Sequence, residues 1–235
     1  MKKFEFTNET KILSDGTVLH RIKALIRIKN ENVIINAGDL GGWLEKESNL
    51  SSYGNAWVWD NAQVYGNAQV CGNAQVCGNA KVWNNVRVYG DAKVCNNARV
   101  CNNARAYNNA KVWGDALVYG DAQVYGDAQV CNNALVYGDA RVYGDARVCN
   151  NARVYGDARI SKRNHILTIG PIGSRNHITT FFRNKEGDIN VKCGCFRGTI
   201  DEFLTKVEQT HGNSKYGIAY RKAVELAKIQ INTDE

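Results

Sequence analysis

The sequence predicts a mainly β protein in which short strands and corners wind into a long coil, with a β cap before it and a small α+β domain after it. Three observations carry that prediction. From Ala56 to Arg163 the chain divides without a gap into 18 hexads of the form Ala, variable, Val, Tyr/Cys/Trp, Gly/Asn, Asp/Asn. The 235 residues include 28 Asn and 22 Gly but one Pro, a composition rich in corner formers that excludes a collagen-like or Pro-rich linker protein. The periodicity stops on both sides, where longer alternating and helical patterns take over.

The first element is the cap, residues 1–49. Thr17 to Trp43 contains an alternating run, VLHRIKALIRI, then VIINAGDLGGWLE, which read as two strands covering the open first coil. An uncovered coil end is an exposed sheet edge that invites further pairing, so a cap is physically required. Gly38 to Trp43 reads as a capping turn, since the lysine and following helix of a phosphate-binding loop are missing. Leu44 and Leu50 stand in register with the Ala position, so the coil is expected to begin one or two hexads before Ala56.

The second element, residues 50–163, is the coil. Position one is Ala in every hexad but that of Val86, and position three is Val except at Ala106 and Ile160. A helix would drift a six-residue stripe around its surface, whereas a strand puts positions one and three on one side. Ala and Val therefore point inward, and each hexad ends in residues that tolerate left-handed or turn conformations. This pattern resembles the hexapeptide-repeat left-handed parallel β-helix, in which three hexads make one triangular turn. The resemblance implies about six coils, a prism roughly 30 Å long at ~4.8 Å per coil.

If residues 18 apart stack, the outward side chains sort into three columns. One reads Trp59, Cys77, Cys95, Trp113, Cys131, Cys149, which sets Cys77 beside Cys95 and Cys131 beside Cys149. Another holds Tyr89, Tyr107, Tyr125 and Tyr143 next to Arg87, Arg105, Arg141 and Arg159, and is read as a solvated face of Arg stems over Tyr rings. The remaining column carries the apolar pair Leu117 and Leu135 beside Tyr119 and Tyr137. That contiguous patch is the expected interface, covered either by a neighbouring subunit or by the folded-back C-terminal domain.

The third element, residues 164–235, is the α+β domain. Ile166 to Ile172, Ile178 to Phe182 and Ile189 to Phe196 read as strands, with a hairpin turn at Asn184 to Asp188. Thr199 and Glu202 form a capping box ahead of one helix, and a second runs from about Ser214 to Ile229.

The function expected is binding without catalysis. Hexapeptide β-helix proteins are best known as trimeric acyltransferases with a catalytic His, but no His occurs between His20 and His165 and no loop interrupts the hexads. The overall plan resembles β-helix proteins of bacteriophages and prophages that have a Leu-Gly-Gly-aromatic cap, near-perfect repeats and a compact C-terminal domain. The matching segments are Gly38 to Trp43, the hexads, Gly170 to Thr180 and Cys193 to Thr199. That resemblance implies an accessory role in the cytoplasm of an infected cell.

Gly170-Pro171-Ile172-Gly173-Ser174-Arg175-Asn176 is a Gly-rich turn with donors suited to phosphate or carboxylate, so Ser174 and Arg175, with Thr180 and Arg183, are the candidate ligand-binding residues. The net charge of +7 favours an anionic partner.

The expectation is a homotrimeric scaffold that sequesters an anionic small molecule, a nucleotide-derived host defence signal among the candidates. It has no cofactor, no catalytic residue, no membrane partner and no nucleic-acid partner. The alternatives are a structural virion or protein-interaction scaffold without ligand, and a hexapeptide acyltransferase. Cys193-Gly194-Cys195 is the best placed pair for a metal, because alternate strand residues share a face, but without a second close pair no metal site is expected. Eight cysteines without a recognisable export signal read as reduced thiols.

Overall fold

A computed structural model describes residues 2–30 and 33–231. Eighteen two-residue strands, β6 (Trp57–Val58) to β23 (Arg159–Ile160), follow one another every six residues. Each pairs in parallel with the strand three places on, so that Lys81 lies opposite Arg99 and Val82 opposite Val100. Three parallel sheets result, and the molecule is a parallel β-solenoid. Ala and Val from all three sheets fill a continuous core, with Ala122, Val124 and Ala128 fully buried. The small first-position side chain is what allows the walls to close on the Val residues.

The corners use the predicted residues for the predicted reason. Asn84 has φ 64° and Gly90 φ 69°. At Gly90 a β-carbon would also stand 2.8 Å from the Asn108 nitrogen of the next coil, so here glycine is required by space as well as by conformation. Amide ladders tie the corners together: Asn67 donates to Asn85 at 3.2 Å, Asn85 to Asn103 at 3.0 Å and Asn103 to Asp121 at 3.0 Å. On the flat faces the rings of Tyr89, Tyr107, Tyr125 and Tyr143 stack with centroids 4.9, 4.8 and 5.1 Å apart.

Cys77 is disulfide-bonded to Cys95, and Cys131 to Cys149, each pair with Cα atoms 4.6 Å apart. The expectation of eight reduced thiols is corrected for these four. In-register strands one coil apart hold paired cysteines within bonding reach.

The N-terminal cap is built from β1 (Phe4–Ile12), β2 (Val18–Ala24), the hairpin β3 (Ile28–Asn30) and β4 (Val33–Ile35), and β5 (Leu40–Leu44). β1 and β2 pair antiparallel, β2 pairs antiparallel with β5, and β5 joins the solenoid in parallel, so one face continues into a nine-stranded sheet. β1, ahead of the two expected strands, seals the outer edge. The capping turn is confined to residues before Leu40, because Gly41 and Gly42 belong to β5. They are glycines because β5 presses on the first coil: a β-carbon at Gly42 would lie 2.6 Å from Val58 Cγ1. The ammonium of buried Lys3 donates to the Ala56 carbonyl at 2.8 Å, satisfying an edge group, and burial pulls its pKa down to about 8.

Leu44 and Leu50 are indeed inside the solenoid, which brings it to about seven turns rather than six. Their register differs from the expectation. Leu44 lies opposite Val64 and Leu50 opposite Val70, so both occupy the Val position. Ser51 still pairs at that offset, but Asn55 donates to Asn73 and Trp57 lies opposite Gln75, which restores the 18-residue spacing. The corner between them carries two extra residues, Ser52 and Tyr53, and the Tyr53 ring is 87% exposed.

Beyond the last coil, β24 (Ile166–Ile172), β25 (His177–Arg183), β26 (Ile189–Cys193) and β27 (Phe196–Thr199) form an antiparallel sheet. The expected strand over Ile189 to Phe196 is two strands, because Gly194 takes φ 54° and turns the chain. Helices α1 (Ile200–His211) and α2 (Lys215–Gln230) complete the region, and the Thr199–Glu202 capping box forms. Residues 232–235 of the predicted domain lie outside the described residues.

Candidate functional site

The site is created by the way the α+β region closes the solenoid. Successive residues of β25 face opposite ways, so Phe182 enters the solenoid core while Phe181 enters a separate core with Val191, Phe203 and Tyr220. The Phe182 ring meets Tyr155 edge-on at 5.1 Å, and the Tyr155 hydroxyl donates to the Val191 carbonyl at 3.2 Å. Burial pushes the Tyr155 phenol up to about 12. The Arg197 guanidinium lies over Tyr137 and Tyr155, 5.2 and 5.6 Å from the ring centroids. Lys185 and Asp157 add an ion pair of 3.3 Å at the rim.

This joint leaves two adjoining clefts. The first, of 460 Å³, is walled on the solenoid side by Asn151 and Arg153 and on the other by Asn176, His177 and Lys192. Lys192, on the middle strand β26, is buried, and its ammonium donates to the carbonyls of Gly194 and Phe196, fixing the β26–β27 turn. Burial, then the positive charges of Arg197 and Arg153, lower its pKa from the ordinary lysine value. Among the described residues that line this cleft there is no carboxylate, while two cations, an imidazole and two amides converge on it.

The second cleft, of 390 Å³, has a floor of Phe196, Phe203, Val207 and Tyr220 and a rim of Ser174, Arg175, Lys206, Thr210 and His211. The Phe203 centroid lies 5.2 Å from Phe196 and 5.4 Å from Tyr220. Cys193 accepts a hydrogen bond from Thr179 at 3.2 Å and contacts the Tyr220 hydroxyl at 3.6 Å. Burial and this thiol raise the Tyr220 phenol above its usual range, so it stays neutral. The clefts share His177, Gly194 and Cys195, which form the ridge between them.

Of the candidate ligand residues, Ser174 and Arg175 line the second cleft. Thr180 and Arg183 lie apart from it. Thr180 is buried and its hydroxyl accepts the Arg153 N–H at 3.1 Å, so it serves the joint rather than a ligand. Arg183 ends β25 opposite Ile189, next to the Asn184–Asp188 hairpin. Cys193 and Cys195 do not share a strand face: Cys193 packs against Thr179 while Cys195 stands exposed on the ridge. Among the described residues no cluster of three or more His, Cys, Asp and Glu is spaced for a metal.

Leu117 and Leu135 lie opposite each other in one sheet, and Tyr119 stacks on Tyr137 at 5.1 Å. Arg197 covers Tyr137, which is buried, whereas Leu117, Tyr119 and Leu135 are half-buried.

Arg153 and Lys192 were not singled out by sequence reasoning. Arg153 occupies an ordinary variable position of its hexad, one of many basic residues there, and Lys192 reads as one polar residue of an alternating strand.

No curated protein matches the chain. Residues 62–78, 128–144, 140–156 and 146–162 match the family model described as the YdcK beta solenoid repeat, so in these segments of its solenoid the chain is similar to that repeat family.

Proposed function

We propose that the protein binds an anionic small molecule at the joint between the last coil and the α+β region and releases it unchanged. The observation that supports this reading is the lining of the first cleft, where Arg153 and the buried Lys192 converge with His177 and no described carboxylate competes for them. To this reading belong the finer expectations from the sequence: a left-handed hexapeptide prism, a homotrimer, and a sequestering role of the phage accessory kind in the cytoplasm.

Calorimetry with ADP-ribose, a cyclic dinucleotide and acetyl-CoA, followed by chromatography of the recovered ligand, tests the reading. Losing one charge-assisted hydrogen bond costs about 1.5–3 kcal/mol, so Arg153→Ala should weaken binding by roughly one to two decades. Affinity should also fall as pH rises through the lowered pKa of Lys192, because only its protonated form attracts an anion. Recovery of an intact ligand supports a binder. Acyl transfer from acetyl-CoA would favour the acyltransferase, and no binding by any of the three would favour a scaffold without ligand.

A further inference from the structure

The two clefts differ in chemistry and meet at one ridge. The first offers Arg153, Lys192 and the amides of Asn151 and Asn176. The second is floored by aromatic rings and rimmed by the hydroxyls of Ser174 and Thr210 with the Arg175 guanidinium. The first cleft suits an anion, and the apolar floor of the second suits an aromatic or other apolar group. Because His177, Gly194 and Cys195 belong to both linings, a single molecule crossing that ridge would reach both at once.

We infer that the ligand is a mononucleotide-class molecule, its phosphate held in the Arg153–Lys192 cleft and its flat ring in the Phe196–Tyr220 cleft. This inference rests on the anion-binding reading above and deepens it. The floor favours a ring over an acyl chain. Phe196, Phe203 and Tyr220 already interact at ring-to-ring distances with Phe203 and Tyr220 edge to face, and a planar group extends such an array with both faces and edges. A methylene chain gains no more from aromatic walls than from aliphatic ones. The rim adds what a heterocycle needs beyond apolar contact. Hydroxyls at Ser174 and Thr210 can donate to or accept from ring-edge atoms, and the Arg175 guanidinium can lie flat on the exposed ring face. The ridge imposes the length, because a sugar-sized spacer has to pass over Gly194 beside the His177 imidazole.

The test is calorimetry of the full-length protein with AMP, UMP, adenosine and ribose 5-phosphate. A variant in which exposed Thr210 becomes tryptophan fills the second cleft from its rim without disturbing the buried floor. The expected result is that at least one of AMP and UMP binds tenfold or more tightly than ribose 5-phosphate. Thr210→Trp should bring that nucleotide down to the ribose 5-phosphate level and leave ribose 5-phosphate itself unchanged. Arg153→Ala should weaken both phosphates by tenfold or more. Equal affinities for the nucleotides and ribose 5-phosphate would overturn the two-cleft inference while leaving anion binding intact. Adenosine binding as tightly as AMP would overturn it from the other side, and so would no binding by AMP or UMP, whereas anion binding falls only if ADP-ribose, the cyclic dinucleotide and acetyl-CoA fail as well.

Discussion

Gly173 lies against the phenol of Tyr220, so closely that a β-carbon at position 173 would overlap the hydroxyl oxygen. The turn that carries Ser174 and Arg175 is thereby seated on the floor of the second cleft. With φ 76° at this residue, Gly173→Ala combines a left-handed backbone with a steric overlap and should cost about 1–3 kcal/mol or more in thermal unfolding. In a Tyr220→Ala background the hydroxyl and the ring carbons that the new methyl would overlap are all gone, and the cost should shrink. An identical cost in both backgrounds would show that the contact with Tyr220 is not what constrains the turn.

The paired cysteines predict cross-links confined to one column. Peptide mapping without reductant should recover Cys77 with Cys95 and Cys131 with Cys149, each 18 residues apart. Chain-entropy arguments give about 3 kcal/mol for a loop of this size, so reduction should lower the unfolding midpoint in denaturant. Recovery of Cys71 or Cys101 joined to any of the four would contradict the stacking of coils.

The column of Leu117 and Leu135 bears on assembly. Arg197 shields Tyr137 at one end of the column, but the two leucines keep part of their surface in solvent. If they meet a second copy, the double substitution to Glu should reduce the mass seen in sedimentation with circular dichroism unchanged. An unaltered mass in a folded variant removes this face from any subunit contact.

Two groups that folding desolvates, buried Lys3 and half-buried Tyr155, make stability depend on pH in opposite directions. Lys3 holds its proton to about pH 8 in the folded chain and to 10.5 when unfolded, so the unfolded state binds more protons between those values. Stability from this source should rise with pH from about 8 to 10.5, and Lys3→Met should flatten that rise. Tyr155 loses its proton near pH 12 when folded and near 10 when unfolded. Its contribution is complete below pH 10 and is lost between 10 and 12, a fall that Tyr155→Phe should reduce. Denaturant titrations across pH 7 to 12 read both slopes.

How much of this was legible in the sequence depends on whether the signal was local. The strands, corners and core of the solenoid were, because Ala and Val recur with a fixed period and the Gly and Asn corners need φ values that few other residues adopt. The Thr199–Glu202 capping box was legible for the same reason. The offset of Leu44 and Leu50 was not, since counting back from Ala56 puts Ser52 and Tyr53 on the third and fourth positions of an ordinary hexad and only inter-coil pairing shows that they are surplus. Half of the site was visible in the turn around Ser174 and Arg175. The other half was not, because Arg153 and Lys192 are 39 positions apart and meet only when the α+β region docks. Thr180 shows the converse error: a hydroxyl following a Gly-rich turn suggests a ligand donor, but strand register buries it against the backbone of Arg153.

The two surplus residues at the Ser52–Tyr53 corner have a practical consequence. Everywhere else the distance between coils is dictated by backbone pairing, yet here the chain has already been lengthened and the pairing on either side is undisturbed. A peptide tag or a fluorophore-bearing loop grafted between Ser52 and Tyr53 would extend an existing detour into solvent rather than open a new one. That corner is the natural port for labelling or tethering the molecule, and it lies at the end of the solenoid opposite the two clefts.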